Sequence, residues 1–273
     1  MANFLKVDGV MNMIEFTKNK SDMNDWISKT SCQFYIADQM FHRNAELFLK
    51  SFPTLREDIT NALTQNLGGI KHSIREKNKL YYKGLTAGSI NIALKKSLKS
   101  INNLKFEVEY KDGVLFDSPK TGGFDFAMFD EEFNIVNFRN YCFGKKAVFQ
   151  GIEEWTNELD KRADWKASAD ILNLPDSSEN AGIDLPTIKK IPTIIGEVQF
   201  ANWALAYYDM FKVLHLDNLA DLDLLIYITA TEDLNNYLSD GNVNFKRMEN
   251  IILEYSSILK VPIWLIGLDV KSK

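Results

Sequence analysis

Three short, dense apolar runs dominate the C-terminal third of the chain: residues 191–200, 222–230 and 261–268. Each is rich in branched and aromatic side chains and too short for a buried helix, which predicts strands covered on both faces. Between them, 202–216 and 245–259 carry apolar residues at helical spacing. Strand, helix, strand, helix, strand implies a sheet with crossover helices. In 202–216, the residues Trp203, Leu205, Ala206, Tyr208, Met210, Phe211 and Leu214 occupy most of the girth. That distribution predicts burial on more than one side.

Upstream, the spacing predicts helix through 22–67. Asp22 or Asn24 would cap a segment over 26–40, Pro53 would end a second over 41–52, and another turn or two would follow over 56–67. Ser89 reads as the cap of a helix over 90–98. Residues 106–110 and 114–116 flank Asp112-Gly113, a hairpin turn signal. A further strand is expected over 122–129, ending at Asp130, and helix over 147–174. Residues 175–182 form a loop by composition and are the candidate mobile segment. The expected fold is α/β in a single domain, 1–273: a central mixed sheet flanked by helices, a catalytic core over about 182–270, and a largely helical N-terminal part over about 1–103.

Composition narrows the function classes. At 273 residues the chain has room for one large or two small domains. Its two cysteines, Cys32 and Cys142, are far apart, which excludes a disulfide framework or a zinc pattern and fits a reducing cytoplasm. His42, His72 and His215 are scattered without metal-ligand spacing. Residues 1–9 lack the pattern of a signal peptide, and no apolar run is long enough to span a bilayer, so an intracellular protein with no membrane partner is expected. A net charge of −5 argues against a sequence-blind polyanion binder, although a local basic cleft stays open. The most basic segment holds Lys71, His72, Arg75, Lys77, Lys79 and Lys83 with Tyr81 and Tyr82 interleaved. It reads equally as a phosphate-tracking stretch or as a solvated charged loop.

The chemistry concentrates at Glu197 and Gln199. Strand periodicity points them the same way, among Ile195, Val198 and Phe200. A carboxylate there is costly unless a divalent metal, a helix N-terminus or a basic partner such as Lys189 satisfies it. Glu107 and Glu109 share the spacing, but their flanks alternate as in a surface hairpin. Asp184 precedes Glu197, with Pro186 and Pro192 between them suggesting a looped return. Should that return bring them together, Asp184, Glu197 and the Val198 carbonyl make an all-oxygen site suited to Mg2+. Phosphodiester hydrolysis is the matching reaction class.

The string Ile195-Gly-Glu-Val-Gln-Phe-Ala-Asn202, then Tyr207-Tyr-Asp-Met-Phe211 and Pro262-Ile-Trp-Leu-Ile-Gly267, resembles the type II restriction endonucleases of the BglII/BstYI/BamHI-like group. A weaker likeness covers 81–98, with Gly84, Asn91 and Lys95. The main resemblance covers 182–268, and the stretch 104–180 has no counterpart. The resemblance implies a restriction-endonuclease-like core and a magnesium-dependent, sequence-specific endonuclease acting on double-stranded DNA. A homodimer would read a palindromic site, since twofold symmetry makes the two a single geometric statement. It implies Asp184, Glu197 and Val198 as metal ligands and Asp184, Glu197 and Gln199 as catalytic residues. The third catalytic position is lysine in most nucleases of this superfamily; Gln199 can orient a water but takes no proton near neutral pH. The base would then be another water, a metal-bound hydroxide or a substrate phosphate oxygen. Asn202 reads as a base contact or as a helix cap. Lys79, Lys83, Lys161 and Arg162 are candidate phosphate contacts, and the helix over 202–216 is the candidate dimer surface. Rival readings are a non-catalytic DNA-binding protein on this fold, a structure-selective nuclease, and an ordinary α/β protein whose Glu197 pairs with a lysine.

Overall fold

A computed structural model describes residues 16–117, 123–176, 181–220 and 222–271. The expectations for 1–9 and for part of the 175–182 loop lie outside those residues. In chain order the first elements are β1 (Phe16–Thr17), a 3-10 turn (Lys20–Met23), α1 (Asn24–Ile27), β2 (Ser31–His42), α2 (Ala45–Ser51) and α3 (Pro53–Leu63). Next come β3 (Asn66–Gly68), β4 (His72–Lys77), β5 (Leu80–Leu85) and α4 (Ala87–Leu98). The middle contains β6 (Lys105–Lys111), β7 (Val114–Asp117), β8 (Phe124–Met128), α5 (Glu131–Phe143), α6 (Gly151–Lys161) and α7 (Ala163–Ile171). The last elements are β9 (Ile194–Val198), α8 (Ala204–Ala220), β10 (Leu224–Ala230), α9 (Glu232–Asn235), α10 (Phe245–Glu254) and β11 (Ile263–Val270).

The chain divides into two compact units. One comprises the described residues up to Leu104, Gly196–Lys212, and those from Leu225 onward. Its main sheet has the order β3-β2-β11-β10-β9, with β10 and β11 parallel from Leu225↔Ile263 to Ala230↔Leu268. The strand–helix–strand alternation read from the sequence is therefore present, and β10 and β11 are buried except at Val270.

The N-terminal part is not largely helical, which corrects the expectation. The segment expected as helix over 26–40 is mostly the twelve-residue strand β2, antiparallel to β11 from His42↔Ile263 to Phe34↔Val270. Buried β11 needs a second partner for its backbone groups, and that long-range pairing overrides the local helical spacing of β2. Pro53 begins a helix rather than ending one: it sits in the first turn of α3, where a missing N–H costs nothing. The basic segment is a hairpin, β4 against β5 from His72↔Leu85 to Lys77↔Leu80, and β1 extends it at the β5 edge. Its two turn residues, Asn78 and Lys79, both have positive φ, as a tight two-residue turn requires. Helix α4 starts at Ala87 with Thr86 as its N-cap residue. Ser89 lies inside the first turn, donating to the Thr86 carbonyl at 2.7 Å and accepting the Lys71 N–H at 2.9 Å.

The other unit comprises Lys105–Ile195 and Val213–Leu224. The expected hairpin forms as β6 and β7, with Asp112 and Gly113 at positive φ between Lys111 and Val114. Strand β8 lies on the other side of β6. Helix α5 was not anticipated. Asp130 caps it by accepting the Phe133 N–H at 3.0 Å, and buried Asn134 closes both backbone groups of Leu115 on edge strand β7 at 2.9 and 2.8 Å. The segment expected as one helix over 147–174 is two, α6 and α7, broken at Arg162 with φ −124°. Phe116, Phe138, Phe143, Trp155 and Trp165 form the aromatic core of this unit.

Candidate active site

All five residues of β9 are buried, and Glu197 is only 4% exposed. A carboxylate so placed needs a countercharge. Lys212 provides one: its Nζ pairs with Glu197 Oε1 and, at 3.2 Å, with Asp209 Oδ1. Asp209 and Lys212 stand three residues apart on α8, the spacing that stacks two side chains on one helix face. Asp209, 3% exposed, also accepts the Tyr227 hydroxyl at 3.1 Å from β10 and makes a long contact of 3.4 Å with Gln199 Nε2. Burial raises the Asp209 carboxyl above the usual range, outweighing Lys212 and the hydrogen bonds that lower it. Burial works against the Lys212 ammonium as well, but the Glu197 and Asp209 carboxylates more than offset it and raise its pKa.

Gln199 lies just past the end of β9, yet β10 still fixes its backbone. Its N–H donates to the Ile228 carbonyl at 2.9 Å, and its carbonyl accepts the Thr229 hydroxyl at 2.8 Å. Its side-chain Oε1 accepts the Ala201 N–H at 3.1 Å. The lysine on Glu197 is thus Lys212, while Lys189 pairs with Asp223 at 2.6 Å. Asp209, Lys212 and Tyr227 were not among the site residues read from the sequence. The available signal was an acid and a base three residues apart in a helix with apolar residues around most of its girth.

Asp184 is exposed and held in the other unit. Its Oδ1 accepts the Lys145 N–H at 2.9 Å, and the Arg139 guanidinium lies within electrostatic reach. Helix α5 clamps the backbone on either side. Arg139 donates to the Ile183 carbonyl, and Asn140 closes both backbone groups of Leu185 at 2.8 and 2.9 Å. Gly144 is required here, because a Cβ would collide with Asp184 Oδ1 and the Asn140 carbonyl.

Asn202 acts locally as a cap: its Oδ1 accepts the Ala204 N–H at 3.0 Å, and its backbone bridges to Asn242. Lys79 is at the tip of the β4–β5 hairpin, and Lys83 sits on β5 with Nζ 5.5 Å from the Trp26 ring centre. Lys161 is exposed and pairs with Glu158 at 2.9 Å. Arg162 is mostly buried, ion-paired with Glu158 and with Asp117 at 3.3 Å and stacked over Phe116 and Trp165.

Among the described residues no three His, Cys, Asp or Glu side chains come together as a metal cage. What exists is a pair of buried carboxylates, Glu197 and Asp209, closed around the ammonium of Lys212. The pair already selects for positive charge. Their donor atoms are hard carboxylate oxygens, which suit a hard divalent cation.

The family model described as restriction endonuclease BglII/BglIII matches residues 37–268. No curated protein matches the chain. Among solved structures, restriction endonuclease BglII complexed with a DNA 16-mer aligns at 11% identity and a TM-score of 0.45, covering 86% of this chain and 79% of that one. Free BglII aligns at 11% identity and a TM-score of 0.40, covering 84% and 77%.

Proposed function

Since the chain belongs to the BglII/BglIII restriction endonuclease family, and is by that a type II restriction endonuclease, we propose that it hydrolyses DNA with magnesium, as a homodimer, at a palindromic site. The family match runs through segments of both units, which supports reading 1–273 as a single nuclease domain. The Glu-Val-Gln-Phe string supports a place beside the BstYI type, with BamHI more distant. The observation that carries the metal reading is Glu197, a carboxylate 4% exposed on an apolar strand and neutralised by an ammonium.

Glu197, the Val198 carbonyl and Asp184 are the proposed magnesium ligands, with Asp184 presented by the loop that α5 clamps. When bound, the ion supplies positive charge for a phosphate oxygen and the departing oxyanion. Gln199 presents an amide with both donor and acceptor, which orients the attacking water without removing its proton. Asp209 holds that amide in place, and Tyr227 holds Asp209. Lys79 and Lys83 on the β4–β5 hairpin are the proposed phosphate contacts, with exposed Lys161 a further one. Arg162 reaches a phosphate only by leaving Asp117 and Glu158. Asn202 is the proposed base contact, which requires its amide to turn away from Ala204.

Gln199, an amide that takes no proton near neutral pH, favours a second reading, DNA binding without cleavage. Digestion of a sequenced plasmid with magnesium, followed by end mapping, separates the two. Discrete fragments with one common end sequence support the endonuclease. Retention on DNA without cutting supports the binder, and nicking only at junctions supports a structure-selective nuclease.

A further inference from the structure

Two buried carboxylates from different elements, Glu197 on β9 and Asp209 on α8, share one ammonium. Gln199, which carries no charge, touches the same Asp209. Lys212 is therefore the cation that this cluster has folded around. A divalent ion seated on Glu197 Oε1 would displace that ammonium. The displaced group is not lost to solvent, because its second partner, Asp209, keeps it beside Gln199. We propose that Lys212, delivered by α8 rather than by the catalytic strand, is a further residue of the nuclease site: it holds Glu197 until a divalent cation takes that oxygen, then stays on Asp209 as fixed positive charge next to the attacked phosphate.

This proposal rests on the nuclease reading and carries two consequences of opposite sign. Before DNA arrives, Lys212 competes with the metal, so the free protein binds divalent ions weakly. During cleavage, the same ammonium offsets charge that builds up on the phosphate, where fixed countercharge is most effective. A residue that only stabilised the fold would produce neither the first effect nor the combination.

The test uses the full chain and its Lys212→Met variant. Mn2+ is titrated into each without DNA by calorimetry, and single-turnover cleavage of the mapped site is measured with Mg2+. The expected pair of results is Mn2+ binding tighter by about tenfold, from removal of one adjacent unit charge, and cleavage slower by about a hundredfold. Unchanged or weaker Mn2+ binding overturns the proposal, as does cleavage within about threefold of the parent, less than loss of one fixed charge gives. Should Lys212→Met fail to fold, Lys212→Gln takes its place, since it removes the same single charge and keeps a hydrogen-bond donor for the two carboxylates. The same two expectations apply to it. A parent chain that binds Mn2+ but cuts no DNA overturns the nuclease reading instead, and the Mn2+ titration then decides the placement of Lys212 on Glu197.

Discussion

Tyr227 reaches the site through Asp209, and its own side chain is fully buried. Tyr227→Phe leaves a buried carboxylate oxygen short of a donor, so urea denaturation should show a loss of about 1–3 kcal/mol, the usual penalty for such an atom. Cleavage should fall as well, because Gln199 leans on the same carboxylate. Glu197 and Gln199 were readable from the sequence because strand alternation is local: two polar residues two apart in an apolar run have to face together. Lys212 and Asp209 were hidden by their helix, where apolar residues around most of the girth masked one polar pair. Nothing local says which lysine meets Glu197. Lys189 is nearer in sequence, yet Asp223 holds it.

Among the elements, α5 is fixed at its start by Asp130, whose carboxylate accepts N–H groups from Phe133, Lys190 and Ile191. Burial alone would raise this carboxyl, but those backbone donors outweigh it and hold the pKa below the ordinary value. A carboxyl depressed in the folded state stabilises the fold above its unfolded pKa and loses that contribution as pH falls through the folded one. Urea stability measured from about pH 5 down to about pH 2 should therefore decline less steeply in Asp130→Asn than in the parent chain. The β4–β5 hairpin makes a separate prediction. Lys79→Ala and Lys83→Ala should each weaken DNA binding uniformly across sequences and reduce the salt slope by about one; an unchanged slope removes that lysine from the phosphate contacts. The C-terminal strands were legible because their apolar density lies within the element. Strand β2 was not, because its partner β11 is more than two hundred residues away in sequence. Helix α5 was not, because Asn134 and Arg139 are buried along with its apolar residues, leaving no amphipathic face to detect.

For the whole molecule, no described helix is long and apolar enough to cross a membrane. The expected burial of α8 on more than one side is only half met. Ala206, Asp209, Met210, Val213 and Leu216 are buried, while Tyr208 and Phe211 are 53% and 67% exposed, near Trp203 and Leu205 at 45% and 42%. That outer face is the proposed homodimer surface. Phe211→Glu should shift sedimentation toward monomer, weakening association by roughly tenfold or more, as loss of a central aromatic anchor does; an unshifted dimer places the interface elsewhere. The most direct measurement is single-turnover cleavage of the mapped DNA site by Glu197→Ala beside the parent chain, both with Mg2+ and at equal DNA occupancy. If Glu197 holds the cation at the scissile phosphate, the variant loses cleavage by roughly a thousandfold while still binding DNA. Cutting as fast as the parent would contradict that role.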